Sequence, residues 1–259
     1  MSSKKITILG SGSAYGCPMC FNDWRLANPD NPRNRRSRAS ALIELDNCKL
    51  IVDCGPDFRN QINDNNVTDL DAVFLSHPHY DHTGGVTELV RCASLLGHPI
   101  EIFANPQTME DLKTAQAHLF KKHSEEDTSA LKWQQLDYTQ EFAVKEHKFS
   151  TFTVPHRKLK TSCLRYQNFA YVPDLQELPQ QAKKQLKNLD LLIIECNNGI
   201  IPEDNGHSDA HKIMEWVNEL KPTRTILTHL SARVDYDELS AIMPQGMELA
   251  YDGMVIELP

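Results

Sequence analysis

Short apolar runs alternate with polar, glycine- and proline-bearing stretches along the chain, and their periods switch between those of strands and helices. Residues 6–9, 41–45 and 49–53 are Ile/Leu/Val-rich runs of strand length. Residues 72–75 predict a strand buried on both faces, 87–96 a helix, 100–103 a strand and 106–120 a second helix. From 133 to 171 the alternation predicts a run of antiparallel strands. A helix over 177–189, a buried strand over 191–195, a helix over 210–220 and a strand over 225–227 follow. This order predicts one α/β domain spanning 1–259, with helices covering sheet faces. Two stretches break the pattern. Residues 121–128 read as a solvated connection, and residues 10–40 form a long irregular loop rich in Gly, Pro, Asn and Arg. A loop that long inside a compact domain more often carries function than fills space.

Composition narrows the classes. The chain has 259 residues, 40% of them apolar and 24% charged, with a net charge of −8, which is globular rather than disordered or fibrous. No apolar run approaches the roughly 18–20 residues that cross a bilayer, so no membrane partner is expected. The apolar part of the N-terminus is too short for a secretory signal. Seven cysteines scattered from Cys17 to Cys196 form no disulfide framework, and a reducing cytoplasm is the expected compartment. The acidic balance argues against a nucleic-acid partner held by bulk charge. A homodimer is compatible with the sequence.

Eleven histidines change the picture. Four metal-ligand side chains fall within six residues in Ser76-His77-Pro78-His79-Tyr80-Asp81-His82, just past the predicted strand 72–75. His77 and His79 alternate along extended backbone, so both rings can face one side, and Pro78 favours that geometry. Asp81 and His82 follow where the chain turns towards a helix. Imidazole with carboxylate suits zinc or manganese at a catalytic site that keeps a position for water. One loop cannot complete two metal shells, and three further candidates each follow a predicted strand: His156, Asp174 and His229. Asp53 ends Leu50-Ile51-Val52-Asp53, just before the turn glycine Gly55.

The order His-x-His-x-Asp-His, then a distant His, Asp and His, resembles the metallo-β-lactamase superfamily over nearly the whole chain. The resemblance implies an αββα sandwich of two mixed sheets, with two divalent ions, zinc or manganese, in the cleft between them. His77, His79 and His156 would hold one ion and Asp81, His82 and His229 the other, with Asp174 bridging and Asp53 behind them. Asp81 also counts among the catalytic candidates. Four positive charges against two carboxylates and one bridging hydroxide leave the site with about one positive charge, which suits an anionic substrate attacked by that hydroxide.

Substrate class has to come from other residues. Arg25, Arg33, Arg35, Arg36 and Arg38, opposed only by Asp30, give the long loop a local charge of +4. A guanidinium fork matches phosphate oxygens, so Arg33, Arg36 and Arg38 are candidates to bind substrate; a solvated basic loop is the plain alternative. The segments Gly10-Ser11-Gly12-Ser13, Gly16-Cys17-Pro18, 32–40, 53–59 and Tyr251-Asp252-Gly253-Met254 resemble the phosphonate-pathway branch that cleaves phosphoribosyl 1,2-cyclic phosphate. That resemblance makes His207, in Gly206-His207-Ser208-Asp209, a second catalytic candidate that protonates the leaving oxygen or binds phosphate. Some branch members hold a structural zinc with three cysteines and a histidine. Here only Cys17 and Cys20 pair up and Ala232 stands at the histidine position, so no structural zinc is expected and the two cysteines read as packing. The remaining cysteines read as core, and His98, His118, His123, His147 and His211 as ordinary. The expected reaction is hydrolysis of a small cyclic or linear phosphodiester, such as a ribose or nucleotide cyclic phosphate. The alternatives are a thioester or lactone hydrolase, an RNA-processing nuclease, and an accessory protein that does not turn over.

Overall fold

The computed structural model describes residues 4–120 and 130–258; the connection expected at 121–128, and His123 within it, lie outside them. Strand β1 (Lys5–Gly10) is followed, past the long loop, by β2 (Ser40–Leu45) and β3 (Cys48–Val52). Helix α1 (Phe58–Asp64), β4 (Ala72–Leu75), the short α2 (Tyr80–Thr83) and α3 (Glu88–Leu96) come next. The first half ends with β5 (Ile100–Ala104), α4 (Pro106–Ala115) and β6 (Leu131–Gln135). The second half runs through β7 (Glu141–Val144), β8 (His147–His156), β9 (Leu159–Tyr166), β10 (Phe169–Val172) and α5 (Gln180–Gln185). It continues with β11 (Leu191–Glu195), α6 (Ala210–Leu220), β12 (Arg224–Thr228), α7 (Tyr236–Ile242) and β13 (Met247–Leu249). Strand β14 (Val255–Glu257) returns to pair antiparallel with β1.

Among the described residues these strands form two seven-stranded sheets, ordered β14-β1-β2-β3-β4-β5-β6 and β13-β12-β11-β10-β9-β8-β7. Each is mixed: β3 to β6 run parallel in the first, β10 to β13 in the second. Strand alternation builds the layers, because successive side chains point to opposite faces. Leu50 and Val52 of β3 join Phe74, Phe149, Tyr171 and Ile193 in the core between the sheets. Ile51, one position away, faces outward with Val73 onto Phe58 of α1, Leu89 of α3 and Met109 of α4. In the second sheet Ile193 faces inward, whereas Leu192 and Ile194 face Ala182 of α5, Ile213 of α6 and Leu239 of α7. The result is the helix–sheet–sheet–helix sandwich that the resemblance implied.

Several expectations need correction. The antiparallel run does not begin at Trp133, because β6 adds parallel to β5 and closes the first sheet. Strand β10 ends the antiparallel run by pairing parallel with β11. The helix expected over 106–120 stops at Ala115, with a separate 3-10 turn at Ala117–Phe120. The helix expected over 177–189 spans only Gln180–Gln185, because Pro179 takes the position before its first residue. No helix of the described residues is long and apolar enough to cross a membrane.

Topology brings the carboxyl ends of several strands to one edge of the sandwich. β8 and β10 both run antiparallel to β9, so their ends coincide, and β11 and β12 lie parallel beside β10. The sheets are stitched there: the Ser162 N–H and the Asn105 side-chain amide both donate to the Ser76 carbonyl, at 2.9 and 3.1 Å.

Candidate functional site

The shared edge collects the seven histidines and aspartates named above as ligand candidates. Two groups form, one of His77, His79, His156 and Asp174, the other of Asp81, His82, Asp174 and His229, with the ligand atoms of each group within 4.8 Å of one another. Asp174 belongs to both. Its Oδ2 lies 3.8 Å from His77 Nε2 and 3.6 Å from His156 Nε2, while its Oδ1 lies 3.3 Å from His82 Nε2 and 3.2 Å from His229 Nε2. All are buried or nearly so apart from His79, which is partly exposed to the cavity described below.

Four of the five rings, all but His79, are aimed by a partner on the far side. Asp53, past the end of β3 at φ +62°, accepts from the Ser76 N–H and hydroxyl at 2.8 Å each and lies 2.6 Å from His82 Nδ1. His156 Nδ1 donates to the Gly206 carbonyl at 2.7 Å, and His77 Nδ1 lies 3.0 Å from Ser76 Oγ. His229, at φ +55°, has its Nδ1 3.2 Å from the Asn197 amide and 3.6 Å from Glu195 Oε2. The turn carrying Asp81 lies so close to the Asp53 strand that a Cβ on Gly55 would sit 2.1 Å from the Asp81 carbonyl; only glycine fits there.

These contacts turn the other ring nitrogens of His82, His156 and His229 inward, towards the two sides of Asp174, and those nitrogens and Asp174 Oδ1 are buried and make no hydrogen bond. Buried polar atoms seldom stay unpaired, and a set of imidazoles and carboxylates converging in this way fits a divalent metal. The electrostatics divides the two groups. Burial lowers the pKa of His77, His79 and His156, which favours the neutral rings a metal requires. Burial also pulls on His82, but Asp81, Asp174 and Asp53 lift it well above its ordinary value. His229, similarly buried, is lifted to about 10 by Asp174, Asp81 and Glu195. The second group is therefore a carboxylate-rich place where positive charge is favoured.

The sequence reading missed Glu195. It ends β11, is fully buried, and accepts from the Leu175 and Ser208 N–H groups at 3.0 Å each. Its other oxygen lies 3.1 Å from His207 Nδ1, and His207 Nδ1 is 3.9 Å from Asp174 Oδ2. The signal was present: an acidic residue closing an apolar strand, as in the segment that drew attention to Asp53.

An open cavity of about 540 Å³ lies over this edge, lined in part by His79, Asp81, His156, Asp174 and His207. Its guanidiniums are Arg25, Arg157 and Arg233. The three arginines expected to bind substrate are not among its lining. Arg33 stacks between Tyr236 and Tyr251, 4.9 Å from each ring centre. Arg36 is buried and donates to the Val234 carbonyl at 2.5 Å. Arg38 pairs with Asp57 at 2.9 Å and donates to the Ala14 carbonyl. A long loop has to satisfy its own backbone, and these guanidiniums act as struts within it. Cys17 is buried beside Ala27 and Ala232, whereas Cys20 is exposed.

The sequence was compared with known proteins. Residues 49–230 match the model of the beta-lactamase superfamily domain. An octanoyltransferase of Porphyromonas gingivalis is 26% identical over 252 residues, 95% of this chain but 50% of that protein. A ribonuclease Z of Methanopyrus kandleri is 35% identical over 75 residues, 28% of this chain and 27% of that protein. The chain thus spans half or less of the length of these curated relatives. A solved diphosphatase from the PhnP family superposes with a TM-score of 0.90 at 24% identity, covering 99% of this chain and 98% of that one, a likeness of fold.

Proposed function

The chain belongs to the metallo-β-lactamase superfamily of hydrolases, and from that premise we propose that it hydrolyses a small phosphodiester in the cavity beside Asp174. His77, His79 and His156 would hold one divalent ion and Asp81, His82 and His229 a second, with Asp174 contributing to both. When bound, such ions supply Lewis-acid polarisation of the phosphoryl group and an activated water.

The remaining work falls to the chain itself. Asp53 holds the His82 ring with Nε2 inward, and Asn197 does the same for His229. Arg157 carries positive charge to the cavity wall, where a non-bridging phosphate oxygen would lie. The observation that carries the reading is the Glu195–His207 pair. The buried carboxylate fixes Nδ1 of the ring, leaving Nε2 to hold a proton for the departing oxygen. Glu195 is a positioning residue; His207 is the group that meets substrate.

A second reading, ribonuclease action, draws support from the similarity to ribonuclease Z. The net charge of −8 and the internal pairing of the loop arginines favour the smaller substrate. Metal-loaded protein should be offered bis-p-nitrophenyl phosphate, 2′,3′-cyclic nucleotides, ribose 1,2-cyclic phosphate, a transfer-RNA precursor, a lactone and an octanoyl thioester; the last follows from the octanoyltransferase similarity. Turnover of the small phosphodiesters is expected. Turnover of the thioester or lactone with silence on every phosphodiester would refute the proposal, and turnover of the RNA alone would select the second reading.

A further inference from the structure

One wall of the cavity has a chemistry that phosphodiester cleavage leaves unused. Tyr15 and Tyr80 line it, yet they are 73% and 70% exposed. Phe21, fully exposed, and Leu26 lie on the same loop, whose Met19 and Arg25 also reach the cavity. Single exposed apolar residues are ordinary. Two tyrosine rings lining one cavity, each on backbone held in place, are not.

Tyr15 sits near the tip of a turn closed by the Gly16 N–H donating to the Ser13 carbonyl at 2.8 Å. Both flanks of that turn are pinned, Ser13 N–H to the Leu230 carbonyl at 3.1 Å and Cys17 N–H to the Arg36 carbonyl at 2.8 Å. Phe21 adopts φ +63° inside a turn closed by Met19 N–H on the Asp23 carbonyl. A left-handed backbone under a bulky ring is strained, and strain of this kind gathers at functional sites. The Tyr80 ring folds over its own helix end, where a Cβ on Gly84 would stand 2.7 Å from it. The opposite polar side is largely occupied with itself: Asn198 and Asn205 bond each other, and Arg233 pairs with Glu203. The volume, about 540 Å³, is in the range that takes drug-sized ligands and exceeds what a bare sugar phosphate fills.

We infer that Tyr15 and Tyr80 form a stacking subsite for a planar aromatic group, so that the phosphodiester is a nucleoside-bearing one. The inference rests on the phosphodiester reading above and deepens it. Aromatic side chains are the surfaces on which bases stack, and rings rather than Leu or Val at both exposed wall positions favour a flat heterocycle over an alkyl chain.

The test measures binding of adenosine 5′-monophosphate and of ribose 5-phosphate to metal-loaded protein by calorimetry. Tyr15→Leu keeps bulk and removes the ring, and should weaken the nucleotide about ten-fold while leaving ribose 5-phosphate unchanged. Tyr15→Phe should bind as wild type does. Leu95→Ala, an exposed apolar residue on α3, should change nothing. Tyr80→Leu is read with its metal content; if metal is lost, Tyr15 decides. Nucleotide binding that is indifferent to Tyr15→Leu, or equal losses for both ligands, would overturn the subsite. An octanoyl ligand held as tightly by the Leu variants would overturn it in favour of an acyl group. Turnover assays keep the two readings apart. Silence on all phosphodiesters with ring-dependent nucleotide binding removes the hydrolase reading alone. Turnover of ribose 1,2-cyclic phosphate with ring-independent binding removes the subsite alone.

Discussion

Asp53 and Glu195 occupy matching places in the two sheets. Each follows or ends a central strand, each is buried, each accepts a backbone N–H and each holds Nδ1 of a histidine. Asp53 serves His82, a ring enclosed by the ligand set, whereas Glu195 serves His207, which lines the cavity. On the proposed reading one local device has two consequences, depending on which ring it grips: the first would fix the place for metal, the second would aim a proton. Asp174 lies between, within 4 Å of His82 on one side and His207 on the other.

The comparison can be broken by substitution. Asp174→Asn should abolish turnover and release metal, measured by elemental analysis, because one of the two oxygens divided between the groups becomes an amide NH2 and the shared negative charge is lost. His207→Ala should lower kcat by about 10²–10⁴-fold with metal content intact. Glu195→Gln should follow in the same direction with a smaller loss, about 10²-fold in kcat for a displaced but present ring, and metal again retained. Asp53→Asn should do the converse, weakening metal affinity by about 10–100-fold, with kcat recovering at saturating metal. If Glu195→Gln empties the site while Asp53→Asn leaves metal binding alone, the division of labour is wrong. The smallest effect belongs to Arg33→Ala, which removes a stack on two tyrosines. A stability change of about 0.5–1 kcal/mol and an unchanged KM are expected; a raised KM would return Arg33 to the substrate.

What the sequence made legible follows from where information is local. Strands β4 and β11 and helix α6 match their expected bounds, because runs buried on both faces and a clear helical period leave little choice. The cluster from His77 to His82 was readable because chain connectivity alone brings it together. His156, Asp174 and His229 were readable as strand ends, but their meeting depends on the parallel and antiparallel pairings of β8 to β12. Helix α1 was missed because Phe-Arg-Asn-Gln-Ile-Asn-Asp is short and carries hardly any apolar period. The arginines misled for a different reason. Charge density in a loop does not say which way its guanidiniums turn, and Arg36 and Arg38 turn inward to carbonyls and to Asp57.

The long loop has a temporal consequence as well. Ser11 and Ser37 donate to Asp252, 241 and 215 positions further on, and Asn34 reaches Asp235, 201 positions on. At a synthesis rate of roughly 5–20 residues per second, the loop emerges on the order of 10–50 s before its most distant anchor. The stretch bearing Tyr15 and Phe21 would thus gain its final anchors among the last steps of folding, after every strand of the two sheets except β14 has been made. A nascent chain could bury its core well before it could present that mouth to a ligand.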